Sequence, residues 1–283
     1  MIWIESETGI KDSTRQLYKR HIRNHIIPKL GNTKLKKLST DMIQTFVDNL
    51  DLSPSTVKLV FNVLELGLKN AEEKGLISNI WSKIKLPKKE KSNVEILTPN
   101  EQQRLEKVLS EKNDIGILIC LYTGLRIGEL CALSWQDIDF DNTVMHIKGT
   151  QSRTEGKLTI TSPKSAASVR TIPIPECLLY EMRKNKNNGE FVISRKGNAV
   201  DVRSYRRRFK KLLSIAGLPD IKFHVLRHTF ASRALEVGMD YKTLSEILGH
   251  ASVSFTMDLY VHALDEHKRN QMNKLNQIYS PSK

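Results

Sequence analysis

Six side chains along the chain are of the types that phosphodiester transfer requires. In order, they are Arg126, Lys164, His224, Arg227, His250 and Tyr260. Arginine forks match phosphate oxygens with paired hydrogen bonds and stabilise the negative charge of a transition state. A tyrosine hydroxyl has a pKa of about 10, so it needs a base or a cationic pocket before it attacks. The set therefore predicts a tyrosine ester of a phosphate, with a lysine as proton donor to the departing oxygen.

The first arginine lies in TGLRIGELCALSW, where a turn at Gly124 leads into a helix. The start of a helix presents backbone N–H groups that favour an anion, which suits a phosphate-binding residue at position 126. The alternative is a surface arginine that pairs with Glu129, three residues further along the same helix.

The second arginine lies in HVLRHTFASRALEVG, three residues after His224, so a helix places both on one face. His228 follows His224 by four residues, which is also the spacing of two zinc ligands on a helix. However, Val225 stands where the glutamate of an H-E-x-x-H motif would stand, and no third ligand candidate is near in sequence. We therefore expect no metal site and no cofactor.

The segment LGHASVSFTMDLYVH contains His250 and Tyr260. Gly249 has the position of a glycine that ends a helix, which leaves His250 in the following turn. Ser252 or Ser254 can cap the next helix, which carries the tyrosine. The ordinary alternatives are a structural histidine at a helix end and a tyrosine that packs on an amphipathic face.

The lysine at position 164 lies in TSPKSAASVRTIPIP, in a loop between two predicted strands. A lysine in such a loop is ordinarily a solubilising residue. Lys148 and Lys157 belong to the same predicted sheet, so either is an alternative proton donor. The sequence shows no Asp/Glu cluster of the kind that two-metal nucleases use.

The elements that position these residues divide the chain into an N-terminal and a C-terminal domain. Residues 1–86 predict an all-α bundle. Its first two helices are Thr14–Ile27, capped by Ser13 and stopped by Pro28 and Gly31, and Asp41–Leu50, capped by Thr40. A third, long helix runs from Ser53-Pro54 to about Lys74, with a buried stripe of Val57, Val60, Phe61, Leu64 and Leu68.

Residues 87–97 predict a linker, because KLPKKEKSN combines proline and charge without apolar periodicity. Residues 98–283 open with a helix, signalled by Thr98-Pro99. Three alternating segments then predict one small antiparallel sheet: Val144–Lys148, Leu158–Thr161 and Val169–Ile174. The predicted fold class is mainly α with a small antiparallel β-sheet in the second domain (α+β).

Composition narrows the class of partner. The formal net charge is +14, and such a field attracts polyanions such as nucleic acid. The three cysteines are widely spaced and form no C-x-x-C, which suits a reducing cytosol. The sequence contains neither a run of about 20 apolar residues nor a secretory signal pattern, so we expect no membrane partner.

These motifs together resemble the tyrosine recombinases, the site-specific integrases of phages and transposons and their relatives. TGLRIGELCALSWQDID is similar to the first arginine box of the family. HVLRHTFASRALEVGMDYKTLSEILGHASVSFTMDLYVH is similar to the second box, and SPKSAASVRTIPIP to the lysine-bearing hairpin of the integrase branch. STRQLYKRHIRNHIIPKLGNTKL and LSPSTVKLVFNVL are similar to the helical core-binding domain.

The resemblance implies a role for each of the six residues. They are Tyr260 as the nucleophile that forms a 3′-phosphotyrosyl link, Arg126 and Arg227 as the phosphate clamp, Lys164 as the general acid, His224 as an aid to proton transfer at the tyrosine, and His250 as a hydrogen-bond partner of the phosphate. Because the ester conserves the energy of the broken bond, the resemblance also implies rejoining without ATP or metal.

The implied partners are double-stranded DNA at specific recombination sites, three further protomers in a homo-tetramer on two duplexes, and accessory DNA-bending proteins. A C-terminal tail from about residue 264 is implied to dock on a neighbouring protomer, and the alternative is a frayed terminal helix. Two other functions stay open from sequence: a type IB topoisomerase-like enzyme, and a DNA-binding module without catalysis. The implied compartment is the bacterial cytoplasm.

Overall fold

The computed structural model describes residues 4, 9–10, 12–88, 94–154, 157–161, 168–195, 197–250, 252–259 and 272–273. The chain divides into two compact units, Met1–Ser92 and Asn93–Lys283. Part of the predicted linker, residues 89–93, lies outside the described residues. Within the described ranges, no helix has the length and apolar content that a membrane span needs.

The described part of the first unit is helical, which confirms the predicted class. Its helices are α1 (Asp12–His21), a π-helical turn (Ile22–Ile26), α2 (Ile27–Leu30), a 3-10 turn (Leu35–Lys37), α3 (Thr40–Asp48) and α4 (Pro54–Glu73). All five residues of the predicted stripe on α4 are buried, so that prediction is confirmed. They pack against Ile43, Phe46, Val47 and Trp81.

The prediction that Pro28 ends the first helix is wrong, and so is the prediction that Ser13 caps it. The helix begins at Asp12, and helical structure continues past Pro28 to Leu30, where the predicted stop at Gly31 is confirmed. The proline lies in the first turn of α2, directly after the π-helical turn. A missing N–H costs little in a first turn, and the wider turn before it accommodates the ring.

The cap of α3 is one residue earlier than predicted. The hydroxyl of Ser39 accepts a hydrogen bond from the backbone N–H of Met42 at 3.3 Å. Thr40 is instead the first helical residue, and its hydroxyl donates to the carbonyl of Ile80 at 2.9 Å. Ser39 therefore caps the helix and Thr40 binds the backbone after α4, and the sequence alone does not show which of the two adjacent residues has which role.

The second unit surrounds a buried central helix. Its helices are α5 (Pro99–Glu111), α6 (Ile115–Thr123), α7 (Ile127–Leu130), α8 (Glu176–Asn185), α9 (Val202–Ile215), α10 (His224–Glu236), α11 (Tyr241–Leu248) and α12 (Val253–Leu259). The predicted start of α5 is confirmed, because Thr98 and Glu101 form a reciprocal capping box. α6 is apolar nearly all round, which is typical of a helix enclosed by its neighbours.

The second unit contains three small antiparallel sheets in its described part, where one was predicted. The strands are β1 (Ile138–Asp139), β2 (Val144–Ile147), β3 (Thr150–Thr154), β4 (Lys157–Thr161), β5 (Arg170–Pro173), β6 (Ser194–Arg195) and β7 (Asn198–Ala199). They pair as β1-β2-β5, β3-β4 and β6-β7. The segment Leu158–Thr161 therefore does not join β2 and β5. It forms a local hairpin with TQSRT, a strand whose polar residues give no alternating apolar signal.

Candidate active site

Gly124 builds the turn that leads into Arg126. Its φ of +67° is in the left-handed region, as expected for a glycine that ends a helix. A Cβ at this position would lie 2.6 Å from Cδ2 of Leu248 and 2.7 Å from Cδ1 of Phe230. The glycine is therefore needed both for the backbone conformation and for the close approach of α6 to α10 and α11. The turn predicted before α7 is confirmed.

Arg126 is anchored by a buried carboxylate. Oε2 of Glu129 accepts the backbone N–H of Arg126 at 3.0 Å, and Oε1 accepts from Nη1 of the same residue at 2.9 Å. The side chain of Glu129 is 3% exposed, whereas that of Arg126 is 37% exposed. The pair that the sequence suggested as a surface alternative exists, but its acidic member lies inside the protein. The Arg126 guanidinium is thus held by a buried anchor while part of its side chain stays exposed.

A second arginine, Arg170 of β5, binds the same carboxylate. Its Nη1 and Nη2 donate to the two oxygens of Glu129 at 3.2 and 3.0 Å, in a two-pronged arrangement. Its Nε donates to the carbonyl of Ile247 at 2.5 Å, and Nη1 also donates to the carbonyl of Ser168 at 3.1 Å. Burial raises the pKa of Glu129, but Arg170 and then Arg126 outweigh it, so the pKa is lowered and the carboxylate stays ionised.

Arg227, although it is only 2% exposed, lies directly beside Arg126. Its Nη1 donates to the carbonyl of Gly124 at 2.8 Å, and its Nη2 donates to the carbonyl of Leu248 at 2.7 Å. Nη1 of Arg126 donates to that same Leu248 oxygen at 3.3 Å, and its Nη2 to the carbonyl of Gly249 at 3.2 Å. The carbonyl oxygen of Leu248 thus accepts hydrogen bonds from both arginines, which lie about a hundred residues apart in the sequence.

His250 lies in the turn that follows these carbonyls, as predicted. Gly249 has a φ of +64°, and the backbone N–H of His250 closes the turn on the carbonyl of Ser245 at 3.0 Å. Nδ1 of His250 lies 2.7 Å from the hydroxyl of Thr256, a fully buried residue of α12. The ring is therefore fixed between the end of α11 and the helix that follows.

Three histidines near the arginines have lowered pKa values. Burial and then the charges of Arg227 and Arg126 lower the pKa of His250 to about 3. His224 has an exposed edge, yet loss of solvation around its ring and the same two arginines also lower its pKa. The ring of His228 stands edge-on to His224 at 4.6 Å between centroids, and burial and then His224 lower its pKa to about 4. The lowered pKa values favour the neutral form of all three rings at pH 7.

This arrangement combines positive charge with neutral proton acceptors. Two guanidinium groups bind the Glu129 carboxylate, and a third, that of Arg227, shares the Leu248 carbonyl with Arg126, so the cluster keeps a net positive charge beside the partly exposed Arg126. Such a surface suits a phosphate, whose oxygens accept several N–H donors at once. Within the described residues, no group of three or more His, Cys, Asp or Glu side chains could hold a metal ion.

Four of the six predicted residues come together here from three separate segments, and the other two, Lys164 and Tyr260, lie outside the described residues. Arg170 was missed by the sequence reasoning. A signal existed, because Arg170 and the buried Ile172 lie two residues apart on one strand and therefore face the same side of the sheet. An arginine on the inward face of a strand needs a buried partner.

Comparison with known proteins shows the family to which the chain belongs. The model of the phage integrase family matches residues 95–267, and that of the phage integrase N-terminal SAM-like domain matches residues 1–50. A tyrosine recombinase XerC-like protein of Caldanaerobacter subterraneus subsp. tengcongensis is 28% identical over 311 aligned residues, which cover 95% of this chain and 79% of that protein. The chain belongs to the phage integrase family, the tyrosine recombinases.

Two solved structures show the same fold. The Tn1549 transposon integrase in complex with circular intermediate DNA superposes with a TM-score of 0.81 at 26% identity and covers 96% of this chain and 97% of that one. A lambda integrase tetramer bound to a Holliday junction gives a TM-score of 0.68 at 21% identity, over 89% and 74% of the two chains. The predicted fold class, mainly α with small antiparallel β structure in the second unit, is thereby confirmed, although the strands form three sheets rather than one.

Proposed function

We propose that this tyrosine recombinase exchanges DNA strands at specific sites of a mobile element, through a 3′-phosphotyrosyl intermediate on Tyr260. The observation that supports this most is the pair Arg126 and Arg227 on one carbonyl oxygen, with neutral His224 and His250 beside them. The Tn1549 and lambda integrases were each solved with DNA. The net charge of +14 supports a polyanionic partner for this chain as well.

In the proposed reaction, the hydroxyl oxygen of Tyr260 bonds to phosphorus as the bond from phosphorus to the 5′ oxygen breaks. The tyrosine proton passes to the neutral imidazole of His224, and the 5′ oxygen takes a proton from Lys164. Arg126 and Arg227 stabilise the charge on the non-bridging oxygens. A free 5′ hydroxyl then reverses these steps, and since the ester keeps the bond energy, neither ATP nor metal is needed.

We assign core DNA binding to residues 1–86 and catalysis to residues 98–283, which the separate matches of the two family models support. Assembly as a tetramer on two duplexes is supported by the lambda integrase, which was solved as a tetramer on a Holliday junction. Docking of the tail from about residue 264 on a neighbouring protomer belongs to this assembly. Accessory DNA-bending proteins and a cytoplasmic reaction complete the proposal.

Covalent trapping tests the proposal. The protein is mixed with duplexes from candidate element junctions in EDTA, denatured in detergent, and examined for DNA-linked protein. We expect an adduct in the wild type and none with Tyr260→Phe, which removes only the hydroxyl. The proposal fails if junction DNA that the protein binds specifically yields no adduct, or if the adduct survives in Tyr260→Phe. Relaxation of DNA without such junctions would favour a topoisomerase instead.

A further inference from the structure

The carboxylate of Glu129 creates an electrostatic problem for a phosphate clamp. It orients Arg126 through two hydrogen bonds, at 3.0 and 2.9 Å. A buried carboxylate paired with one arginine would cancel the positive charge that a phosphate is meant to meet. A carboxylate that orients the arginine should therefore be paired with a second positive group that offsets the negative charge of the carboxylate.

We propose that Arg170 is a positioning residue that offsets the charge of Glu129, so that Glu129 orients Arg126 while the charge of Arg126 stays available to phosphate. This inference rests on the proposed function of the same site. Arg170 is 6% exposed at its side chain, so its charge is directed inward at the carboxylate rather than at solvent. Arg126, with its exposed edge, is the member of the pair that an anion can approach.

The geometry of the carboxylate fits this division of roles. Each oxygen of Glu129 accepts one bond from Arg170 and one from Arg126, so all four contacts form together. An ionised carboxylate has about four lone-pair sites, and the two arginines occupy them. Neither arginine can turn away without leaving a buried acceptor partly unsatisfied, which holds the Arg126 guanidinium in one orientation.

Arg170 also connects the clamp to two neighbouring segments. Its Nε donates to the carbonyl of Ile247, the residue before the Leu248 carbonyl that Arg126 and Arg227 share. Its Nη1 donates to the carbonyl of Ser168, which follows the segment that contains Lys164 by sequence. A single buried side chain thus fixes the acidic anchor of Arg126 and the end of the helix before His250.

The test measures anion binding by the full-length protein without using DNA. Inorganic phosphate is titrated at pH 7.5, and its affinity is read from the ring signals of His224 and His250 in NMR spectra. We expect Arg170→Gln to weaken phosphate binding by about tenfold or more, the effect of losing roughly one charge-assisted interaction. Arg170→Lys keeps the charge but not the fork, so it should retain more of the affinity than Arg170→Gln.

The double variant Arg170→Gln/Glu129→Gln separates charge balance from a merely structural role. It removes both buried charges, so Arg126 again carries an unopposed charge and phosphate affinity should return to within about threefold of wild type. A structural role predicts a double variant at least as weak as the single one. Arg233→Gln is the matched control: this arginine binds Glu236 and the carbonyl of Leu97, and its loss should leave phosphate affinity unchanged.

The possible outcomes either support the inference or overturn it. Unchanged affinity in Arg170→Gln, or a double variant as weak as the single one, would overturn it. If Arg170→Gln does not fold, the double variant must still fold and bind phosphate, and failure to do so overturns it equally. Because phosphate binding is read without Tyr260, a wild-type protein that binds phosphate but forms no adduct on its junction DNA would refute the proposed function and leave this inference testable.

Discussion

Gly124→Ala should destabilise the second unit more than its backbone conformation alone explains. At a φ of +67°, alanine costs about 1–2 kcal/mol relative to glycine. The added methyl would also lie 2.6 Å from Leu248 and 2.7 Å from Phe230. Overpacking of this kind costs roughly 1–3 kcal/mol. We therefore expect a total loss of about 2–5 kcal/mol in the free energy of unfolding of this unit.

Gly217→Ala isolates the backbone contribution. Its φ of +64° nearly equals that of Gly124, and it lies in the same unit. The only atom within 4 Å of its ideal Cβ, among the described residues, is Nη1 of Arg104 at 3.6 Å, an ordinary contact with a flexible side chain. This variant should lose only about 1–2 kcal/mol of unfolding free energy. The difference in this loss between the two variants therefore measures the cost of overpacking where α6 approaches α10 and α11.

Hydrogen exchange of α6 and α10 in the full-length chain gives the opening free energy of the second unit directly. The same measurement on α4 should show no change, since that helix belongs to the first unit. Gly124→Ala should also reduce adduct formation beyond its effect on folding, because the carbonyl of Gly124 binds Arg227. Equal losses in the two variants would refute the packing argument.

Three further substitutions test the phosphate clamp, the position of His250 and the pH dependence of the first unit. Arg227→Lys keeps the charge but cannot bridge two carbonyls. The rate of covalent trapping should therefore fall by roughly 10²–10³, while DNA affinity changes little. Equal losses in trapping rate and DNA affinity would contradict the clamp role. Thr256→Val removes the hydroxyl beside Nδ1 of His250, and adduct formation should fall about tenfold, whereas Thr256→Ser should keep wild-type rates; a valine variant as active as the serine one would contradict this role. His21 is buried, neither ring nitrogen has a hydrogen-bond partner among the described residues, and burial lowers its pKa. The unfolded chain thus binds the proton more readily, so the first unit should lose stability as pH falls below about 6.5. His21→Leu has no ring to titrate, so urea unfolding at pH 5 and pH 8 should show a smaller difference in stability for this variant than for the wild type.

The sequence was sufficient wherever a local rule decides the structure. Gly124 was predicted to lie in a turn that leads into a helix and Gly249 to end one, and both adopt the left-handed conformation. Ser53-Pro54 and Thr98-Pro99 predicted two helix starts correctly, because a cap and a proline act within one turn. The placement of Arg126 and His250 in turns followed from the same rules, since each residue adjoins one of these helix ends.

The sequence was insufficient where a contact joins distant segments. Glu129 accepts from Arg170, 41 residues away, and no local pattern reports that pairing. The first helix passes Pro28 because a π-helical turn precedes it, which capping rules do not predict. The strand β3 was missed since TQSRT has no apolar alternation. Only the first of these three is a contact between distant segments; the π-helical turn and the polar hairpin strand are local, but neither capping rules nor apolar periodicity encodes them.

The end of α11 explains why the arginines and His250 meet at one place. The last carbonyls of a helix lack intrahelical partners and carry its partial negative charge. Here the carbonyls of residues 247, 248 and 249 accept from Arg170, from Arg126 and Arg227, and from Arg126, in that order. A helix C-terminus is thus the common acceptor of three cations, and His250 is the next residue in the chain. Any change that unwinds this last turn should therefore displace the clamp and the histidine together, although they come from separate segments of the sequence.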